Sequence, residues 1–261
     1  MFLTPFYSYD QALIKVSAEQ GSRFAKTVCD DFNPLHNVDN TRFCVPGDLL
    51  FALTLQRFGL NREMHFTFTE MLAAGVALQT REKANTRTWE DGQGKVYMSI
   101  DHSGPATVFN PFVEALMRSY VRFSGQNFPH ILMPLMSRHG VMINPQRPLV
   151  IYQSMSLDIA APDADQVSTE LTESSMRVLG RRGEVTLAFR FACGERYIGS
   201  GTKTMVLSGL RDYDSAAAQA MIERYLALQT AFSNPQSDGT LTRIGSGTSV
   251  SYTHLTLPTT D

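Results

Sequence analysis

Residues 47–60 read GDLLFALTLQRFGL, and this stretch decides the fold. A helix drawn through it carries apolar side chains on almost every side, and its only charges are Asp48 and Arg57. A helix on a protein surface keeps one polar face, whereas a helix that is apolar all round is enclosed by other elements. We therefore predict a helix here that is buried on most sides.

The residues before this helix predict a short helix and then a loop. Ser17 and Gln20 have the spacing of a capping box, in which each side chain satisfies a free backbone N–H at a helix start. Residues 31–36 follow and read DFNPLH. Pro34 disfavours the helical conformation in the residue before it, so Asn33 is expected to be extended and the segment to be a loop.

The residues after the apolar helix predict antiparallel strands. Strand-like stretches occur at residues 64–69, 75–81 and 95–102, and the last alternates apolar and polar side chains. An Asp-Gly turn signal at Asp91 precedes the third stretch.

The second half of the chain repeats this order. Asn110 and Pro111 are the expected cap and first residue of a helix that ends at Gly125. Residues 128–139, FPHILMPLMSRH, predict a second apolar helix. Alternating strands follow, joined by a hairpin turn at residues 180–183.

Helix, loop, apolar helix and antiparallel strands thus occur twice, which predicts an α+β fold of the tandem, or double, hot-dog kind. In it an antiparallel sheet wraps around two buried helices, and joining the two sheets hides strand edges. The expected units are residues 1–104, which contain the DFNPLH loop, and residues 105–209. An amphipathic C-terminal helix is expected at 210–233, and a disordered tail at 234–261, whose ending resembles translated vector sequence.

Composition narrows the function classes. The chain has 23 basic and 25 acidic residues without long runs of either sign, so neither nucleic acid nor a membrane is an expected partner. Its three cysteines, Cys29, Cys44 and Cys193, lack the spacing of a metal site or a disulfide framework. No signal peptide and no long apolar run occurs, so a cytoplasmic location is expected, with no metal and no cofactor.

Asp31 and His36 are the candidate catalytic pair. On a helix, two side chains five residues apart would point in different directions. On a loop that contains proline, the two side chains can converge. A carboxylate beside an imidazole can move a proton to and from water near neutral pH. An apolar tunnel between the halves is expected, lined by Leu50 and Phe189 and with its polar end at Asp31.

The DFNPLH loop, followed by Gly47 at the start of a buried helix, resembles the signature of the MaoC-like (R)-specific enoyl-CoA hydratases. That resemblance implies hydration or dehydration of an enoyl or (R)-3-hydroxyacyl thioester of coenzyme A or acyl-carrier protein. Asp31 and His36 would handle the water, Asn33 would shape the loop, and the Gly47 amide would donate to the thioester oxygen. FCVPGDLLF and PHILMPLM extend the likeness over residues 1–230 to a bacterial family of unknown function in the same superfamily.

This sequence departs from the hydratase signature at three positions, which are Asp30, Val38 and Pro46. Two alternatives therefore stay open beside the hydratase. One is a binding module for acyl-CoA or acyl-carrier protein without chemistry. The other is a hot-dog thioesterase, because such enzymes place an acidic residue on the central helix and Asp48 lies there. A homodimer is an open alternative to a monomer.

Overall fold

The structure is a computed structural model, and it describes residues 2–160 and 166–233. The tail expected at 234–261 lies outside the described residues. Within the described ranges, no helix combines the length and the apolar character needed to cross a membrane.

Among the described residues, five α-helices separate and follow the strands. They are α1 (Ala18–Phe24), α2 (Gly47–Phe58), α3 (Pro111–Gly125), α4 (Met133–Arg138) and α5 (Ser215–Ser233). Helix α1 continues into a π-helical turn at Ala25–Cys29, and a similar turn at Phe128–Leu132 leads into α4. A 3-10 turn covers Thr4–Phe6, and another, Pro34–His36, lies in the DFNPLH loop.

Ten of the described strands form one antiparallel sheet and two form a small ribbon. The strands are β1 (Ser8–Asp10), β2 (Leu13–Lys15), β3 (Leu60–Phe68), β4 (Leu78–Lys83), β5 (Thr86–Asp91), β6 (Val96–Thr107), β7 (Val141–Met142), β8 (Val150–Ile159), β9 (Ser168–Leu179), β10 (Arg182–Cys193), β11 (Arg196–Ser208) and β12 (Arg211–Asp212). The order in the large sheet is β1-β2-β4-β5-β6-β3-β8-β11-β10-β9, and β7 pairs with β12.

The sheet order reflects the repeat in the sequence. The first half contributes β4-β5-β6-β3 and the second contributes β8-β11-β10-β9, so β3 meets β8 at the centre. In that pairing Glu63 lies opposite Asp158 and Thr67 lies opposite Ser154. The two halves therefore share one continuous sheet, as the double hot-dog fold requires.

Helix α2 is the buried helix that its sequence predicts. Eight consecutive residues from Asp48 to Leu55 are buried. Phe51 contacts Phe66 of β3 and Tyr120 of α3, with ring centroids 5.2 and 5.0 Å apart. A continuous apolar core therefore joins α2, the sheet and the second half.

The prediction of helices and turns is largely confirmed. Ser17 and Gln20 form both hydrogen bonds of a capping box, and the Asn110 side chain accepts a hydrogen bond from the Val113 N–H at 2.9 Å. The hairpin turn needs only two residues, since Leu179 already pairs with Arg182.

Two features differ from expectation. Helix α3 adds nine buried residues to the interior, whereas the apolar stretch at 128–139 forms a π-turn and a six-residue α-helix. Strand β5 was not predicted, because its buried side chains include the polar Arg87 and Glu90. The division expected at residue 104 falls inside β6, and the division into domains stays a prediction.

Gly125 at the end of α3 lies against the backbone of Cys29, just before the DFNPLH loop. A Cβ at this position would overlap the Cys29 carbonyl oxygen, and it would lie 2.9 Å from the Cys29 Cβ. Because backbone atoms cannot move aside as a flexible side chain can, Gly125→Ala is expected to lower the free energy of unfolding by about 1–3 kcal/mol. Urea denaturation measures this loss.

Gly92→Ala is the matched control. No atom lies within 4 Å of a Cβ built there. Its effect is expected to stay within about 0.5 kcal/mol. If Gly125→Ala and Gly92→Ala were equally stable, the end of α3 would not be closely packed against the backbone before the loop.

Candidate functional site

A cavity of about 330 Å³ lies at the seam between the two halves. The first half lines it with the DFNPLH loop, the start of α2 and the segment after β3, and the second half lines it with the end of α3, β8 and β11. The chemically distinctive lining residues are Asp31, Asn33, His36, Gly47, Asp48, Ser124, Tyr152 and Lys203. The DFNPLH loop of the first half and the sheet of the second half thus face the same cavity.

The backbone before Pro34 folds tightly and turns Asp31 into the cavity wall. Asp30 adopts a left-handed conformation with φ 57°, which ends the π-turn after α1. The Asp31 N–H donates to the Ala25 carbonyl at 2.9 Å, and Asp31 Oδ1 accepts from the Asn33 N–H at 2.8 Å. Both hydrogen bonds fix Asp31 and leave Oδ2 for other partners.

His36 faces Asp31 and is held in one tautomer. Its Nδ1 lies 2.7 Å from the carbonyl oxygen of Cys44, and a carbonyl can only accept, so Nδ1 carries a proton. Its Nε2 lies 3.5 Å from Asp31 Oδ2. Neutral His36 therefore presents an unprotonated Nε2 beside the carboxylate, and one water at about 2.8 Å from each atom can donate to both.

Burial of the Asp31 side chain changes the pKa of its carboxyl. Burial raises the pKa of its carboxyl above the ordinary value, while the nearby His36 and the hydrogen bond from the Asn33 N–H act in the opposite direction. Burial is the largest of these effects. A carboxylate whose pKa is raised is a stronger base than an exposed one.

Three further residues expected at the site also line the cavity. The Asn33 Oδ1 accepts from the Leu35 N–H at 3.1 Å, which shapes the loop, and Leu50 lines the cavity from α2. Gly47 is the first residue of α2, so its N–H has no acceptor within the helix. A Cβ on Gly47 would lie 3.0 Å from the Phe68 ring and 3.2 Å from the Tyr152 ring, which leaves little room for any side chain.

Phe189 does not line the cavity, which corrects the expectation from the sequence. Its ring lies over Gly201 on the neighbouring strand and packs against Tyr120 and Phe123. Glycine at position 201 leaves the space that this ring fills. Phe189 is therefore a residue of the second half's core.

Asp30, where the hydratase signature has glycine, points away from Asp31 and His36. Its Oδ2 accepts from Gln126 at 2.8 Å and from Gln229 of α5 at 2.7 Å. Its backbone needs the left-handed conformation that glycine adopts freely and that aspartate tolerates. Its charge raises the pKa of Asp31, but this is the smallest of the five effects on that carboxyl.

Helix α5 packs on the DFNPLH loop. The Tyr225 ring contacts Phe32 and Phe128, with centroids 5.8 and 5.6 Å away. Its hydroxyl lies 3.0 Å from the Asp30 carbonyl oxygen and 3.1 Å from that of Gly125, and can donate to either. The helix therefore holds the loop against the end of α3.

A second polar cluster in the cavity was missed from the sequence. Ser124 donates to Asp48 Oδ2 at 2.6 Å, and the Lys203 Nζ donates to Ser124 Oγ at 2.5 Å. The Lys203 ammonium also lies 4.1 Å from the centre of the Tyr152 ring. Only the placement of Asp48 on an apolar helix signalled this cluster, because Ser124 lies 76 residues after Asp48 and Lys203 lies 79 residues after Ser124.

All three members of this cluster are buried, with 8% or less of each residue exposed. Burial raises the pKa of the Asp48 carboxyl, and the attraction of Lys203 only partly offsets it. Burial likewise lowers the pKa of Lys203, with Asp48 as the main opposing influence. The cluster is a buried carboxyl group and a buried amine that are bridged by the Ser124 hydroxyl.

The family model described as "Protein of unknown function (DUF3581)" matches residues 1–216. This match covers most of the chain. The chain belongs to the DUF3581 family. Comparison with curated proteins finds no match.

Solved structures with similar folds include members of the hot-dog group. The tesB protein MAP1729c of Mycobacterium avium subspecies paratuberculosis is 9% identical, over 79% of this chain and 97% of its own, with a TM-score of 0.45. A hot-dog protein of unknown function from Alicyclobacillus acidocaldarius is 9% identical over 80% and 98%, with a TM-score of 0.41. A MaoC-like dehydratase is 12% identical over 77% and 97%, with a TM-score of 0.39. Likenesses this distant do not bear on activity.

Asp31 is expected to titrate at a higher pH than an ordinary aspartate, whose pKa is about 3.9. Because burial raises its pKa, Asp31 stays protonated to a higher pH and loses its charge first as pH falls. Carboxyl ¹³C NMR during a pH titration measures this, with the resonance assigned through Asp31→Asn. Asp91, whose pKa is lowered mainly by the hydrogen bond from the Lys95 N–H, is the internal reference. Asp31 titrating with or below Asp91 would contradict burial of the carboxyl.

Lys203→Met is expected to lower the free energy of unfolding by about 3 kcal/mol, because it leaves the Asp48 carboxyl buried without its cation. Combining it with Asp48→Asn should cost less than the sum of the single changes. Urea denaturation of the wild type and the three variants gives this coupling. The exposed Lys83→Met is the control and should change stability by less than about 0.5 kcal/mol. Additive losses would mean that Asp48 and Lys203 are not coupled.

Proposed function

We propose that this protein is a hot-dog enzyme that adds water to an enoyl thioester, or removes it from an (R)-3-hydroxyacyl thioester. The thiol carrier would be coenzyme A or acyl-carrier protein. The observation that carries the proposal is the pair of Asp31 Oδ2 and His36 Nε2, 3.5 Å apart on the wall of a cavity that also contains the start of α2.

In the hydration direction the pair would orient and deprotonate one water. The water donates one hydrogen to Asp31 Oδ2 and the other to His36 Nε2, which leaves an oxygen lone pair free to attack carbon 3 of the enoyl group. A C–O bond forms at carbon 3 while the carbon–carbon π bond breaks, one water proton passes to the pair, and the pair returns that proton to carbon 2, so that OH and H are added in total. Dehydration reverses each step through the same groups.

The start of α2 would stabilise the charge that develops on the thioester oxygen. Attack at carbon 3 pushes electrons toward that oxygen, and a free helix N–H is an effective donor to it. Gly47 supplies such an N–H at the cavity wall. The rings of Phe68 and Tyr152 lie directly beside it and would keep water from competing for the donor.

The departures from the hydratase signature are compatible with this proposal. Asp30 is engaged by Gln126 and Gln229 and does not occupy the space between Asp31 and His36. Pro46 serves as the residue before the first turn of α2, with φ −56° and ψ 130°. Val38 is 46% exposed and lies outside the residues that line the cavity.

A thioesterase is the second candidate, because Asp48 lines the same cavity from the first turn of α2. Its carboxyl could activate water for attack on the thioester carbonyl instead of carbon 3. A binding module without turnover is the remaining alternative. The three candidate functions differ in what happens to the same thioester substrate.

A panel of enoyl-CoA thioesters separates the candidates. Hydration removes the absorbance of the conjugated double bond and releases no thiol. Hydrolysis releases free coenzyme A, which a thiol reagent detects. Binding without either change, measured by calorimetry, identifies the binding module.

Asp31→Asn is expected to reduce turnover by about two to four orders of magnitude while acyl-CoA binding stays nearly unchanged. Asparagine can still accept the Asn33 N–H, so the loop keeps its geometry but loses the base. His36→Ala should have a similar effect, and the double variant should be little slower than either single variant, because both residues act on one water.

Asp39→Asn is the matched control, since Asp39 is exposed on the same loop region and does not line the cavity. Its turnover should equal that of the wild type. Melting temperatures are measured beside turnover for every variant. If Asp31→Asn lost stability in proportion to its loss of rate, Asp31 would be a structural residue and the proposal would fail.

A further inference from the structure

Asp30 joins the start of the DFNPLH loop to two distant parts of the chain. Its Oδ2 accepts hydrogen bonds from the Gln126 Nε2 at 2.8 Å and from the Gln229 Nε2 at 2.7 Å. Gln126 follows the last residue of α3, and Gln229 lies on α5, so the two donors are 96 and 199 residues away from Asp30 along the chain. One carboxylate oxygen therefore connects the residue before Asp31 with both helices.

The backbone of Asp30 is fixed as well. Its N–H donates to the Ala25 carbonyl oxygen, and its own carbonyl oxygen lies 3.0 Å from the Tyr225 hydroxyl. The next N–H, that of Asp31, also donates to the Ala25 carbonyl oxygen, at 2.9 Å. The side chain, the N–H and the carbonyl of Asp30 thus all have partners, which restricts the direction in which the chain enters the loop.

Asp31 and His36 depend on different anchors. The His36 ring is held within the first half by the Cys44 carbonyl oxygen, 2.7 Å from its Nδ1. Asp31 is tied to the Asn33 N–H inside the loop and directly follows Asp30, which the second half and α5 hold in place. The 3.5 Å between Asp31 Oδ2 and His36 Nε2 is therefore set by the relative position of these two anchors.

Backbone preference does not account for an aspartate at position 30. The left-handed conformation there, with φ 57°, costs a residue with a side chain free energy that glycine does not lose. Electrostatics does not account for it either, because the charge of Asp30 has the smallest of the effects on the pKa of Asp31. What an aspartate supplies here, and a glycine cannot, is an acceptor for two glutamine amides.

We propose that Asp30 is a positioning residue, whose two glutamine contacts hold Asp31 at the distance from His36 at which both can act on one water. This inference rests on the proposed function for the role of that water. Asp30 does not line the cavity, so it acts on the rate through Asp31 and leaves substrate binding unaffected.

Two substitutions separate the anchor from the backbone conformation. Glycine adopts the left-handed conformation freely and matches the hydratase signature, but it has no acceptor for the glutamines. Asparagine tolerates the same conformation, and its Oδ1 can accept from both amides without carrying a charge. Asp30→Gly should therefore be slower than the wild type although it restores the signature, whereas Asp30→Asn should keep the rate.

Steady-state kinetics on the enoyl-CoA thioester that the wild type hydrates fastest measures the effect. We expect kcat of Asp30→Gly to fall about ten- to a hundredfold, since a displacement of about 1 Å at a reacting group costs about a hundredfold, and KM to stay within about twofold. Asp30→Asn should stay within about threefold of the wild type in kcat. Wild-type kcat in Asp30→Gly, or an equal loss in Asp30→Asn, would overturn the inference.

Gln229→Leu tests the anchor without a change at position 30. It removes the donor on α5, and kcat should fall less than in Asp30→Gly because Gln126 still donates. Gln219→Leu is the matched control, since Gln219 is exposed on the same helix and donates to Glu223 of α5 at 3.0 Å. Its kcat should equal that of the wild type. Equal kcat in the two glutamine variants would overturn the role of α5 in the anchor.

Melting temperatures are measured for every variant, and kcat is measured well below the lowest of them. In Asp30→Gly the strain that is relieved and the hydrogen bonds that are lost act in opposite directions on stability. A loss of kcat in fully folded protein, with KM unchanged and the rate recovered by asparagine, is a result that a purely stabilising residue would not give.

Hydrogen exchange separates failure of this inference from failure of the proposed function, because it requires no substrate. The protection factor of the Asp31 N–H, which donates to Ala25, reports how firmly the chain is held at this point. It should fall in Asp30→Gly and persist in Asp30→Asn. Such a fall, with no hydration of any thioester by the wild type, would support the anchoring of Asp31 and refute the hydratase. Hydration by the wild type, with unchanged protection and unchanged kcat in Asp30→Gly, would do the reverse.

Discussion

Five residues of β3 pair with five of β8 at the centre of the sheet, from Glu63 opposite Asp158 to Thr67 opposite Ser154. This pairing satisfies the backbone hydrogen bonds of two strands that would otherwise be exposed edges. It also fixes the second half against the first, so that β8 and β11 face the start of α2. The cavity exists because these two surfaces meet along a seam and the side chains there do not fill it completely.

The candidate catalytic loop depends on contacts that cross this seam. Gly125 lies directly on the Cys29 backbone, Gln126 donates to Asp30, and Tyr225 of α5 bridges toward the carbonyls of Asp30 and Gly125. The loop has only a single 3-10 turn of its own. A precise distance between Asp31 and His36 therefore depends on packing by parts of the chain that lie far away in sequence.

Burial is favourable for some of the side chains that line the cavity and unfavourable for others. The apolar lining from Leu50 and Leu132 is favourable to bury, whereas the carboxylates of Asp31 and Asp48 and the ammonium of Lys203 lose hydration there. Hydrogen bonds from Asn33 and Ser124 compensate for part of that loss. Ionisable groups whose pKa values are shifted by burial are typical of sites that bind or convert a ligand.

The sequence by itself determined the elements whose causes are local. The caps at Ser17 and Asn110, the loop imposed by Pro34 and the burial of α2 all follow from neighbouring residues, and so does the doubled hot-dog pattern. The tertiary structure alone decided which distant residues meet. It placed Lys203 and Ser124 beside Asp48 and turned Phe189 into the core, because such contacts depend on strand order and register. Local periodicity cannot report contacts between residues that lie 76 or 79 positions apart.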